Sequence, residues 1–320
     1  MAPPSRPDAD VDYTFAQVSF ETAFVDYGGN CGNISAGVGP YAIDEGLVAP
    51  VEPVTTVRIH LTNSGQILTA QVPVKGGKAE VHGDYSIDGV PGTGAKITMD
   101  WSDVTGTVSQ GRLLPTGNAK DDIAVDGHVY QVSLVDAGNP LVFIKASDLG
   151  LKGTETTSEI ENDKELMSLI EKIRGRAAVK FGLVDVPEKA AAVTPYSPFF
   201  AIVSPPADYT GPGGIEVKAG EIDLVSRLSF MLKMHKTYPI TGTVCTGAAA
   251  RIPGTVAWDV LGDKSNSDPE VKIGHPGGIV RVEAIAEQLD SQIRLKKIGV
   301  HRTARKIMDG LVYVKNEAFE

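Results

Sequence analysis

Hydrophobic and polar positions alternate through much of the first hundred residues. Thr55 to Thr62 and Gln66 to Val74 carry a period of two on either side of Asn63-Ser64-Gly65, which predicts a β-hairpin. Tyr13, Phe15, Gln17 and Ser19, then Ala23 to Asp26, and Ala95 to Trp101 predict further strands. Glycine and proline interrupt this region roughly every 8–12 residues, the spacing of a β-rich barrel or sandwich. His128 to Val135, Leu141 to Lys145, Phe199 to Ser204, Ile279 to Ala284 and Arg294 to Val300 continue the strand pattern, and Leu311 to Val314 is expected to close a sheet near the start of the chain. The period lengthens to that of a helix over Ile160 to Phe181, where Leu166, Leu169, Ile170 and Ile173 share one face. Glu221 to His235 reads as a second amphipathic helix, with Ile222, Val225, Ser229 and Leu232 set against Asp223, Arg227 and Lys233.

Two stretches break both periods. Tyr27-Gly28-Gly29-Asn30-Cys31-Gly32-Asn33-Ile34-Ser35-Ala36 leads from a predicted strand into a run of small residues. Gly242-Thr243-Val244-Cys245-Thr246-Gly247-Ala248-Ala249-Ala250 does the same far downstream. Residues that are small and apolar on every side suit a helix enclosed by other elements. The first helix is expected from Cys31 or Gly32 to about Ala42, with Pro40 kinking it or ending its first segment. Pro253 follows Cys245 much as Pro40 follows Cys31, so the order strands, cysteine, helix, strands occurs twice. That predicts a tandem pseudo-repeat, divided near Leu114 to Asp122.

Composition narrows the function. The 320 residues are long enough for about two domains. A net charge of −10 with no Lys/Arg cluster argues against a nucleic-acid surface. No apolar run approaches the ~18 residues of a membrane span, and no secretory leader is visible in Met1 to Asp8. The two cysteines, which build no disulfide framework, suit a reducing, cytoplasmic location.

A thiol at a helix start meets unpaired amides, which draw its pKa toward the thiolate. The same amides hold carboxylates and stabilise the enolate-like charge that forms when a carbon beside the carboxylate loses its proton. Two such turns across a cleft would remove a proton on one side and return it on the other, with no metal or organic cofactor. A free cysteine is equally at home as a small core hydrophobe, so the residues alone leave both readings open. His275, in Gly274-His275-Pro276-Gly277-Gly278, and Arg302, in His301-Arg302-Thr303-Ala304-Arg305, are further candidates for holding an anion.

Asn30-Cys31-Gly32-Asn33-Ile34-Ser35-Ala36, Asp136-Ala137-Gly138-Asn139-Pro140, Ile252-Pro253-Gly254-Thr255, Gly274-His275-Pro276-Gly277-Gly278 and Arg302-Thr303-Ala304-Arg305 together resemble the 2-methylaconitate cis-trans isomerase family. That family includes 4-oxalomesaconate tautomerase, methylitaconate isomerase and aconitate isomerase types. The resemblance runs from about Asp12 to Phe319. It implies an α+β, diaminopimelate-epimerase-like fold of two similar β-barrel-like domains, each around a central helix. The N-terminal domain would be residues 1–122, completed by about 301–320, and the C-terminal domain 123–300. It implies proton shifts on unsaturated di- and tricarboxylic acids without a cofactor, with Cys31 and Cys245 as acid/base thiols. Asn30, Gly32, Asn33, Thr246, Gly247, His275, Gly277 and Arg302 would bind substrate. Members of the family carry an Arg-Gly-Gly-Thr-Ser-Lys-like strand and a Gly/Ser/Thr-rich loop ahead of the point where this chain starts. Neither motif occurs here, which implies a first domain short of strands, an exposed sheet edge that favours a homodimer, and Cys245 in place of the lysine. The alternatives are a member that binds a carboxylate or a partner protein without turnover, and an amino-acid racemase or epimerase.

Overall fold

The fold was obtained as a computed structural model, which describes residues 1–19, 23–262, 268–289 and 292–314. Among them, a 14-stranded sheet runs the length of the molecule. Its path is Val11–Tyr13, Val54–Leu61, Gln66–Lys75, Ile97–Asp100, Gln292–Arg302, Gly278–Leu289, Glu270–His275, Leu224–Phe230, Phe199–Ser204, Asn139–Lys145, His128–Ala137 and Asp121–Val125, with Lys78–Ala79 and Lys233–Met234 paired off the path to Gln66–Lys75 and Leu224–Phe230. Most neighbours are antiparallel; the parallel pairs include Val11–Tyr13 with Val54–Leu61 and Asn139–Lys145 with Phe199–Ser204. The predicted hairpin through Asn63-Ser64-Gly65 is present, with Leu61 opposite Gln66. Gln292–Arg302 belongs to both halves of the path: its first part pairs with Gly278–Leu289, and Gly299 to Arg302 pair with Ile97–Asp100. The architecture is α+β, with helices enclosed by curved sheet.

Two sets of helices lie inside that curve. α1 (Gly32–Ser35) and α2 (Val38–Asp44) sit against the first strands, and α6 (Ile240–Ala249) against the later ones. Every residue of α6 is buried, as its all-round apolar sequence requires. Its glycines let strands approach: a Cβ on Gly247 would lie 2.7 Å from Val282 Cγ1. The helix begun at Gly32 breaks at Ala36-Gly37, not at Pro40. Pro40 falls in the first turn of α2, where its missing N–H leaves no hydrogen bond unmade.

Outside the sheet, α3 (Thr157–Asn162) and α4 (Lys164–Lys180) occupy the expected helical stretch. Thr156 opens α3 with a capping box to Glu159, and Asp163 re-caps the chain by accepting the Leu166 amide at 2.9 Å. Leu166, Ile170 and Ile173 of α4 pack on Leu134, Val142 and Ile202. A single turn, α5 (Ala190–Val193), and α7 (Val256–Leu261) complete the helices used below. No helix among the described residues is long and apolar enough to cross a membrane.

Two expectations fail. Glu221 to His235 is not a helix, because Leu224–Phe230 is a central strand buried on both faces. Burial on both faces erases the period-two signal, and Arg227 is drawn in by bonds to the Glu155 and Ser226 carbonyls and by stacking 4.7 Å from the Tyr209 ring centroid. Leu311 to Val314 closes no sheet: these residues are exposed and outside every ladder of the described residues. Residues 315–320, the far end of the predicted first domain, lie outside the described residues.

Candidate active site

The starts of α1 and α6 meet. A Cβ placed on Gly32 would lie 2.5 Å from Ile240, the first residue of α6, so only glycine permits this approach. Cys31 is the N-cap of α1, in extended conformation and half-buried. The helix is a single turn, too short for a substantial macrodipole. Burial raises the thiol pKa above its ordinary value, and the Asn33 and Ile34 amides beside it only partly oppose that. The expected pull toward thiolate therefore does not prevail in the unliganded protein.

Cys245 is placed differently from the sequence reading. α6 begins after Pro239, so the thiol stands in mid-helix instead of at its start. It is fully buried, donates to the Val135 carbonyl at 3.3 Å, and has its pKa pushed well up by burial. The expected amide nest at Thr246 and Gly247 is absorbed by the helix interior, because the Gly-Thr stretch before the cysteine joins the helix instead of capping it. Thr246 instead hydrogen-bonds the Tyr238 hydroxyl at 2.9 Å, and Ser226 reaches the same hydroxyl at 2.8 Å. The segment facing Cys31 is Pro239-Ile240-Thr241-Gly242.

Beside the two helix starts lies a pocket of about 310 Å³, at the small end of ligand sites. Asn33, His275 and Arg302 of the expected set line it, with Tyr85, Asp88, Thr237 and Tyr238. Cys31 is not in that lining, but Asn33 belongs to its helical turn. Asn33 Oδ1 accepts from Arg302 Nε at 3.3 Å, and Arg302 Nη1 donates to its neighbour's carbonyl at 2.8 Å. Among the described residues no carboxylate pairs with Arg302. Burial lowers its pKa to about 10, which leaves it charged at neutral pH. His275 is buried and neutral, its pKa lowered to about 3 by burial first and by the nearby Arg227 charge second. The Gly277 amide donates to His275 Nδ1 at 3.1 Å, so the neutral ring carries its proton on Nε2. The pocket therefore offers a cation and a neutral imidazole N–H donor, both suited to a carboxylate.

The strands Tyr85–Ile87 and Val90–Gly94 form a hairpin over this pocket. Asp88 Oδ2 accepts the Ile279 amide at 2.8 Å, which fastens the hairpin to the start of the Gly278–Leu289 strand.

Asn30 differs from the expected substrate ligand. It is buried, and its groups are met within the protein: its N–H donates to Asn139 Oδ1 at 2.9 Å, its Nδ2 to the Gly138 carbonyl at 3.1 Å and to Ser64 Oγ at 3.0 Å. Sequence reasoning missed Asn139, Tyr196, Tyr238 and the Tyr85–Gly94 hairpin. Asn139 stands in the Asp136-Ala137-Gly138-Asn139-Pro140 motif with no role of its own assigned; the others carry no local signal, since only tertiary contact brings them here.

The chain is similar to known proteins over almost all of its length. Residues 1–315 match the PrpF protein family. The 3-methylitaconate isomerase of Eubacterium barkeri is 48% identical over 316 residues, covering 98% of this chain and 82% of that protein. The 2-methyl-aconitate isomerase of Cupriavidus necator is 37% identical over 322 residues, covering 98% and 81%. A solved structure of methylitaconate-delta-isomerase superimposes with a TM-score of 0.86 at 48% identity, covering 98% of this chain and 80% of that one. The chain belongs to the PrpF family and is an isomerase.

Proposed function

We propose that this isomerase moves a proton within a small unsaturated di- or tricarboxylic acid of the methylitaconate, methylaconitate or oxalomesaconate type, with Cys31 as the acid/base. The observation that carries the reading is Arg302: a half-buried guanidinium without a carboxylate partner among the described residues, lining a small pocket and bonded to Asn33 in the cysteine's own turn. A charge so placed calls for an anionic partner. One substrate carboxylate is held by Arg302 and by His275 through its Nε2–H. The Cys31 thiolate, drawn from the ionised fraction that its raised pKa leaves, takes a proton from the carbon next to the double bond and becomes the thiol. The electron pair spreads into the conjugated carboxylate, and the thiol returns the proton at the far end of the allylic system, moving the double bond. Atoms and charge balance without a metal or an organic cofactor.

The relatives support this reading, because the proteins named above are isomerases of methylitaconate and methylaconitate. The racemase alternative needs thiols at both helix starts, and α6 has Pro239 at its cap. A second reading, binding without turnover, draws on the raised thiol pKa and on the same Pro239. Proton NMR in D2O with 3-methylitaconate and 2-methylaconitate separates the two. Deuterium entry catalysed by the wild type, lost in Cys31→Ser and slowed with raised KM in Arg302→Met, supports proton transfer. Saturable binding without exchange supports the second reading, and exchange retained by Cys31→Ser removes the thiol from the mechanism.

A further inference from the structure

We propose that Asn139 is a positioning residue that sets the direction of the Cys31 amide and so the setting of the thiol. This rests on the reading of Cys31 as the acid/base. Asn139 is fully buried at the start of the Asn139–Lys145 strand, far from Cys31 in sequence. Its Oδ1 accepts the Asn30 N–H at 2.9 Å, and its Nδ2 donates to the Asn30 carbonyl at 2.9 Å. One side chain thus grips both backbone groups of the residue before the cysteine, as a neighbouring strand would. Nδ2 carries two protons, and a second donation, also 2.9 Å, reaches Thr241 Oγ1 in the first turn of α6. The Tyr196 hydroxyl adds a 2.7 Å bond to the same Asn30 carbonyl.

The grip reaches the cysteine through covalent geometry. The Asn30 carbonyl and the Cys31 N–H share one trans peptide plane and point in opposite directions. A carbonyl fixed toward Asn139 and Tyr196 therefore fixes the Cys31 N–H on the other side. Asn139 is itself held: Gly138, at φ 72°, turns the chain against α6, where an added Cβ would lie 3.1 Å from Val244, and its carbonyl accepts Asn30 Nδ2. One amide side chain thereby hydrogen-bonds both the cysteine turn and the start of α6.

The test reads the thiol directly, so it stands even if the wild type shows no turnover. Cys31 alkylation by iodoacetamide is followed from pH 6 to 10, with the labelled peptide identified by mass spectrometry, alongside urea unfolding. Asn139→Leu keeps the volume and removes every bond. It is expected to slow Cys31 alkylation at pH 8 by tenfold or more and, where exchange is measured, to lower kcat about 100-fold with KM within about threefold. Tyr196→Phe removes the bond to the same carbonyl and a 3.3 Å contact from Asn139 Nδ2, while the Asn139 bonds to Asn30 and Thr241 remain; it is expected to slow alkylation about threefold, and it decides the matter should Asn139→Leu not fold. Alkylation profiles superimposable on wild type, or faster, would overturn the proposal even with a lower urea midpoint. Loss of exchange in the wild type with the alkylation differences intact would count against the isomerase mechanism and leave Asn139 in its role.

Discussion

Gly247 allows a direct choice between packing and substrate binding. In Gly247→Ala the new methyl would lie 2.7 Å and 3.0 Å from the two Val282 methyls and 3.4 Å from Ala284 Cβ. Overpacking of that kind costs about 1–3 kcal/mol, offset by about 1 kcal/mol from the better helix propensity of alanine. The net expectation is a loss of about 0–2 kcal/mol. Val282→Ala removes both offending methyls. At about 0.8 kcal/mol per methyl-sized group, plus a cavity contribution, it should cost about 2–3 kcal/mol. In the double variant the alanine at 247 fills the space vacated at 282 and the propensity gain is kept. The pair should then cost about 0.5–1.5 kcal/mol against an additive sum of about 2–5 kcal/mol, a coupling of about 0.5 kcal/mol or more. Urea unfolding of the four proteins measures this cycle. An additive double variant, or a Gly247→Ala protein more stable than wild type, would refute close packing of α6 on the Gly278–Leu289 strand. A changed KM with an unchanged urea midpoint would return Gly247 to the substrate site.

Three further expectations concern protons and motion. Alkylation of Cys31 should climb about tenfold per pH unit and show no plateau below about pH 8.5, the free-thiol value, because burial raises this thiol; an earlier plateau would mean that the amides of α1 outweigh burial. His275 has a folded pKa of about 3, below the unfolded value of about 6.5. The unfolded chain therefore binds the extra proton between those values, so stability falls as pH drops through that window, by up to about 1.4 kcal/mol per unit. His275→Gln should flatten that limb, and an unchanged acid slope would show that the ring is not held neutral. Amide hydrogens of the Tyr85–Gly94 hairpin should exchange faster than those of the Gly299–Arg302 ladder, and the reverse order would overturn the reading of the hairpin as the looser element.

Much of the fold was legible where one face of an element is wet. The Val54–Leu61 and Gln66–Lys75 strands alternate buried and less buried positions, and the sequence shows the same period. α4 displays Leu166, Ile170 and Ile173 on one side and charges on the other. Legibility failed where both faces are covered. Leu224–Phe230 keeps Arg227, Ser226 and Ser229 inside through hydrogen bonds and packing that sequence does not display. The start of α6 was misplaced by five residues because Thr241, Gly242 and Thr243 look like a turn, yet enclosure makes them helical. The cysteine turn, His275 and Arg302 stood out as candidates by residue type, and the family resemblance grouped them. Asn139 was not, since its partners lie more than a hundred residues away.

The strand Gln292–Arg302 has a mechanical meaning. Because it is hydrogen-bonded first to Gly278–Leu289 and then to Ile97–Asp100, rotating the halves apart like a clam would unzip one ladder or the other. The shared ladder resists such an opening, and the Tyr85–Gly94 hairpin, expected to be the looser element, hangs on it through the Asp88–Ile279 bond.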